Sequence, residues 1–125
     1  MSQPLVPTGQ AQPGSLGLAI DRPEPEVIVL TVSGELDMLT APRLAASLEE
    51  LLAAAPRTLV VDLGGVTFLG SAGLAVLVTA HELAPGREVL RIAAGNRQIR
   101  RAFTMTGLDN LLALYESREA ALSEA

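Results

Sequence analysis

Residues 58–74 read Thr-Leu-Val-Val-Asp-Leu-Gly-Gly-Val-Thr-Phe-Leu-Gly-Ser-Ala-Gly-Leu. Thr58–Leu63 is apolar almost throughout and rich in β-branched side chains, the pattern of a strand buried on both faces. Gly64–Gly70 reads as a loop. Ser71 reads as the N-cap of a helix, because its side-chain oxygen can accept from a free backbone N–H of the first turn. Behind it Leu74, Leu77, Val78 and His81 fall on one helical stripe,. Pro85-Gly86 stops that helix. A doubly buried strand joined by a loop to a helix is the repeating unit of an α/β fold.

The same alternation continues in both directions. Upstream, Val27–Ser33 (VIVLTVS) reads as a strong strand,. Thr40 then reads as an N-cap with Pro42 in the first turn, where its missing N–H does no harm. Leu44, Leu48, Leu51, Leu52 and Ala55 share one apolar stripe, and Pro56 ends the helix. Leu16–Asp21 is a weaker strand, joined to the next by an Arg22-Pro-Glu-Pro-Glu26 turn and therefore antiparallel to it. Downstream, Val89–Ala93 is a strand, Asn96 caps a helix to about Met105, and Gly107 terminates it. Leu111–Tyr115 is a last short strand, and Ser117 caps a helix to Ser123. The expected order is β-β-α-β-α-β-α-β-α: an α/β fold with a mixed, largely parallel sheet of about five strands and about four helices. Residues 16–125 form one domain in this reading. Residues 1–15, rich in Pro and Gly and without charge, read as a flexible lead-in that lacks the charged and apolar segments of a signal peptide,. The longest continuous apolar candidate, Leu74–Ala80, is about a third of the roughly 20 residues a bilayer span needs. A soluble cytoplasmic protein with no membrane attachment is the expectation.

Composition narrows the chemistry. In 125 residues, 49% hydrophobic and 18% charged, there is enough apolar surface for a core without metal or disulfide staples,. Cysteine is absent, which excludes a disulfide framework, a thiolate zinc site and a cysteine nucleophile,. His81 is the single histidine, so no multi-histidine metal site can form. All nine basic residues are arginine, which removes Schiff-base and lysine-base chemistry. A net charge of -5 opposes nonspecific nucleic-acid binding, and 2% aromatics leave no stacking platform for bases,.

Candidate catalytic arrangements weaken on inspection. Gly65–Ser71 has the spacing of a P-loop without its lysine, and so without the cation for the outer phosphates. Leu69-Gly-Ser-Ala-Gly73 partly resembles a hydrolase nucleophile elbow, but leucine replaces its first glycine. The only histidine lies ten residues along the same helix. At about 1.5 Å per residue that is about 15 Å, where a base needs roughly 3 Å. His81 is read instead as a satisfied or half-exposed residue near a helix end. Asp37 and Asp62 sit near strand ends and read either as braces of their turns or as a divalent-ion pair in a small hydrolase or nucleotidase. Arg97, Arg100 and Arg101 share a helix face opposite Ile99 and Phe103, as a solvated face or a contact for an acidic partner. No metal and no cofactor is expected.

Three segments carry a resemblance. They are Gly34-Glu-Leu-Asp37 with Thr40-Ala41, then Asp62–Leu74, then Phe103-Thr-Met-Thr-Gly-Leu108. In this order and spacing, over roughly Leu16 to Ala121, the chain resembles the STAS domain, in particular the bacterial anti-sigma factor antagonists. The resemblance implies a non-enzymatic switch. An unphosphorylated antagonist binds an anti-sigma factor that is a GHKL-type serine kinase, and so frees a sigma factor for transcription. The kinase phosphorylates a hydroxyl at the start of the second helix, the antagonist lets go, and a phosphatase resets it. By position the acceptor is Ser71, and Asp37, Thr40, Gly70, Ala72, Gly73 and Leu74 form the partner surface. The sequence departs from the family pattern at Gly70, commonly Asp, and at Ala72, commonly Ser or Thr. The second departure leaves Ser71 as the one hydroxyl at the helix start. The alternative implied is a STAS module of another complex, a lipid-transport or stress-signalling scaffold, in which Ser71 is never modified. Physics favours a serine at this place: a phosphate is tolerated at the positive end of a helix, while a small apolar helix start suits close approach by a partner.

Overall fold

The computed structural model describes residues 15–123. The lead-in expected over residues 1–15 therefore lies outside the described residues, apart from Ser15, whose carbonyl accepts from the Glu35 amide at 3.0 Å. The element order is β1 (Leu16–Glu24), β2 (Val27–Leu36), α1 (Ala41–Ala53), β3 (Thr58–Leu69), α2 (Ser71–Leu83), β4 (Leu90–Ala93), α3 (Arg97–Thr106), a 3-10 turn (Leu108–Asn110), β5 (Ala113–Tyr115) and α4 (Arg118–Ser123). This is the expected α/β order, with one extra turn.

The five strands lie side by side in chain order, β1-β2-β3-β4-β5. β1 is antiparallel to β2 and every other pair is parallel. Crossovers in parallel sheets are right-handed, so strands added always on the same side place every crossover helix on one face. The core follows that rule. Ile28, Leu30 and Val32 of β2, Leu59, Val61 and Leu63 of β3 and Ile92 of β4 pack with Leu44, Leu48, Leu74, Leu77, Ile99 and Phe103 of the three long helices. The alternate residues Val29, Val60 and Ala93 point the other way and meet Ala121 of α4. Among the described residues, period-two alternation thus sends one side of β2 and β3 to three helices and the other to the short α4,.

Several boundaries differ from the sequence reading. Gly64–Gly70 is not a loop: β3 continues to Leu69, and β2 continues beyond Ser33 to Leu36. The two extensions pair with each other, Gly34 with Val66 and Leu36 with Leu69, across register shifts. The adjacent glycines at 64 and 65 accompany the first of those shifts, which break the alternation that marks a strand,. The turn after β1 shrinks to Pro25-Glu26, because the strand runs on to Glu24. α1 stops at Ala53, and Ala55 lies outside it, exposed, with φ 55°. Pro56 disfavours helical backbone in the residue before it, which accounts for the early stop. The buried side of α2 is Gly73, Leu74, Leu77 and Ala80, with Val78 and His81 half-buried at its flank. β4 starts one residue late at Leu90. Leu111 caps the 3-10 turn and leaves β5 with three residues. Asn96 caps α3 as expected, its Oδ1 accepting from Gln98 N and Ile99 N, and Gly107 closes that helix with φ 78°.

Arg91 is a buried cation that the sequence reading missed. Its Nη1 donates to the Ala121 carbonyl at 2.9 Å and its Nε to the Glu88 carbonyl at 2.8 Å. The guanidinium stands 5.6 Å from the centre of the Tyr115 ring, whose hydroxyl donates to Glu88 Oε1 at 2.6 Å. This cluster fastens α4 to the sheet.

Candidate functional site

The β2–α1 and β3–α2 junctions meet at one end of the sheet. The Gly70 amide donates to the Leu36 carbonyl at 2.9 Å and ties them together. In the first junction, Asp37 Oδ1 accepts from Leu39 N at 2.9 Å and from Thr40 N at 3.0 Å. The Thr40 hydroxyl donates to the Glu35 carbonyl at 2.7 Å and accepts from Asp37 N at 3.0 Å. Thr40 occupies the N-cap position of α1 but makes no side-chain capping bond. Asp37 is therefore the brace of a tight turn, and Thr40, buried, locks that turn from beneath.

In the second junction the N-cap is Gly70, with extended backbone, rather than Ser71, which is the first helical residue. Sequence alone favoured serine as the cap because of its side-chain oxygen. The backbone places that oxygen one step too far along, and no side chain caps α2. Ser71 is exposed and its hydroxyl is not engaged in capping. The first N–H groups of a helix have no intrahelical partner, so donors and positive potential surround this position.

Two glycines let α2 start where it does. A Cβ on Gly73 would lie 2.8 Å from Leu69 Cδ1 and 2.9 Å from Leu36 Cβ. The first turn of α2 thus rests on the last residues of both long strands. A Cβ on Gly70 would meet the Phe68 ring at 3.0 Å.

Exposed apolar side chains stand toward this end of the sheet, with exposed Thr67, Gln98 and Arg101 among them. Met38 and Leu39 are each 81% exposed, Met105 74% and Phe68 52%. Beside them Phe68 and Leu69 face Ile99, Ala102 and Met105 of α3 across a shallow groove of about 370 Å³. Gly73 and Leu74, placed on the partner surface by sequence, are buried and act as the seat of the helix, while Ala72 is half-buried. Met38 and Leu39 were missed because an apolar residue in a turn has no periodicity to show which way it faces; Phe68 and Met105 lie near the ends of β3 and α3.

The other sequence candidates separate. Asp62 Oδ1 accepts from Gly64 N at 2.9 Å and braces the shift in β3. Asp62 pairs with Thr31, whereas Asp37 follows Leu36 at the strand end. Six residues of extended chain from Thr31 to Asp37 make about 20 Å, so the two carboxylates share no ion. Among the described residues no group of three or more His, Asp or Glu is placed to hold a metal. On α3, Ile99 and Phe103 are buried as expected, Arg97 and Arg101 are exposed, and Arg100 stands 3.9 Å from Glu116.

Comparison with known proteins fits this geometry. The family model described as "Mlab, STAS domain" matches residues 21–114. The anti-sigma-F factor antagonist RsfB of Mycobacterium tuberculosis is 35% identical over 97 residues, covering 78% of this chain and 80% of that protein. The anti-sigma-B factor antagonist of Staphylococcus aureus is 34% identical over 89 residues, covering 70% and 82%. The crystal structure of an anti-sigma factor antagonist from Mycobacterium paratuberculosis superposes with a TM-score of 0.84 at 36% identity, covering 92% of this chain and 97% of that one. With its five-stranded mixed sheet, its serine at the head of the second helix and these relatives, the chain belongs to the STAS domain family, alongside the bacterial anti-sigma factor antagonists it resembles.

Proposed function

We propose that the protein is an anti-sigma factor antagonist, a binding protein rather than an enzyme, controlled by phosphorylation of Ser71. The unphosphorylated form binds an anti-sigma factor serine kinase of the GHKL type through the apolar rim of Met38, Leu39, Phe68 and the start of α2. The kinase transfers the terminal phosphoryl group of ATP to Ser71 Oγ: the new O–P bond forms, the bond to ADP breaks, and the serine proton leaves. A phosphatase reverses the state. The observation that carries this reading is an exposed serine on the first turn of α2, set among exposed apolar side chains.

The energetics suit a switch. The added group brings about -1.5 to -2 charges. On the free protein that charge sits beside unpaired helix N–H groups and is tolerated. In a closed apolar interface, burying it without a counter-charge costs several kcal/mol, on the order of a hundredfold or more in affinity. Incubation with a GHKL anti-sigma kinase and ATP should add one phosphoryl group, absent in Ser71→Ala. Ser71→Asp should weaken kinase binding at least about tenfold. Equal binding by Ser71→Asp and the parent would overturn the switch.

A further inference from the structure

We infer that Met38 and Met105 form a reversible oxidation site, a second input to the surface around Ser71; the inference rests on that surface being the kinase-docking face. Methionine is a residue of interiors, yet both internal methionines of this chain lie outside the core, 81% and 74% exposed. They stand at the same end of the sheet. Met38 is two residues beyond Leu36, which pairs with Leu69, and Met105 faces Phe68 and Leu69 across the α3 groove. The chain has no cysteine, so no thiol competes for an oxidant. Arg101 Nη2 approaches Met105 Sδ at 3.8 Å. A thioether is a weak acceptor for that donor, and a sulfoxide oxygen in its place is a strong one, so the oxidised side chain has a partner already beside it.

The chemistry needs a two-electron oxidant, of which hydrogen peroxide is the simplest. The thioether sulfur attacks one peroxide oxygen, the S–O bond forms and the O–O bond breaks. The second oxygen leaves as water with both protons, sulfur is oxidised and peroxide is reduced. The product is polar and branched, and methionine sulfoxide reductases return it to the thioether. At an exposed site the change leaves the fold intact and makes an apolar docking rim polar, so oxidation acts like phosphorylation: it releases the partner.

The test uses the full chain and a purified GHKL anti-sigma kinase that binds it. Peroxide should add oxygen at Met38 and Met105, located by peptide mass mapping, with the thermal midpoint nearly unmoved. Kinase affinity should fall about tenfold or more and recover after treatment with the two reductases. Met38→Leu/Met105→Leu removes both sulfurs and keeps the side chains apolar, so its kinase affinity, read against its own untreated sample, should not move with peroxide. Oxidised chain that binds as tightly as untreated chain overturns the inference and leaves the Ser71 switch standing. Peroxide sensitivity that persists in the double variant overturns it as well. Untreated chain that binds none of the source organism's GHKL anti-sigma kinases overturns the proposed function and this inference together.

Discussion

Ser71 and Gly73 sit two positions apart and answer to different demands. Ser71 is exposed and caps nothing, so changing it should touch binding and not folding. Ser71→Asp is expected to shift unfolding stability by no more than about 0.5 kcal/mol, measured by thermal or denaturant unfolding, because an exposed acid on a first helical turn is neutral to favourable. Gly73 has the opposite profile. Its missing side chain lets α2 rest on Leu36 and Leu69, and a branched substituent must lift the helix. Gly73→Val is expected to cost about 1–3 kcal/mol and to slow phosphorylation of Ser71, since the acceptor moves with the helix. Unchanged stability in Gly73→Val would show that the close approach is not maintained in solution.

At the scale of elements, the two junctions are held by polar bonds that are local in sequence. The Thr40 hydroxyl bridges the Glu35 carbonyl and the Asp37 amide. Thr40→Val keeps the shape and removes both bonds inside a buried site, so it should cost about 1–3 kcal/mol. The check is a lower denaturant midpoint with an unchanged slope. These elements also show what a sequence makes readable. The order of strands and helices, the caps at Asn96 and Gly107, the buried pair Ile99 and Phe103 and the position of Ser71 all follow from periodicity and local chemistry. The extension of β3 through Gly64 and Gly65 did not, because glycine at a register shift looks like a loop until its partner strand is known. The swap of cap from Ser71 to Gly70 escaped for a related reason: one residue of strand length decides it. The apolar rim was hidden because Met38, Leu39 and Phe68 are set by the closure of two junctions and not by any repeat along the chain.

Over the whole molecule, the sheet is covered unequally. Three helices build one core, and among the described residues α4, with Tyr115 beside it, covers Val29, Val60 and Ala93 on the other face. Arg91, only 7% exposed, secures that short helix through the Ala121 carbonyl. Arg91→Met should therefore destabilise the protein by about 2–3 kcal/mol, with hydrogen exchange rising first at the amides of α4 and β5. Because Ser71 lies at the α1–α2 end of the opposite core, the proposed kinase binding by the folded fraction should persist in Arg91→Met. The chain-order arrangement of the strands carries one more consequence. Each strand joins a neighbour that has already left the ribosome, and none must wait for a later segment to be inserted between existing ones. Such a molecule can be assembled from its amino end while translation is still under way. Nascent chains arrested after β3 and α2 should already shield the Ile28–Val61 layer from protease, ahead of the synthesis of α4.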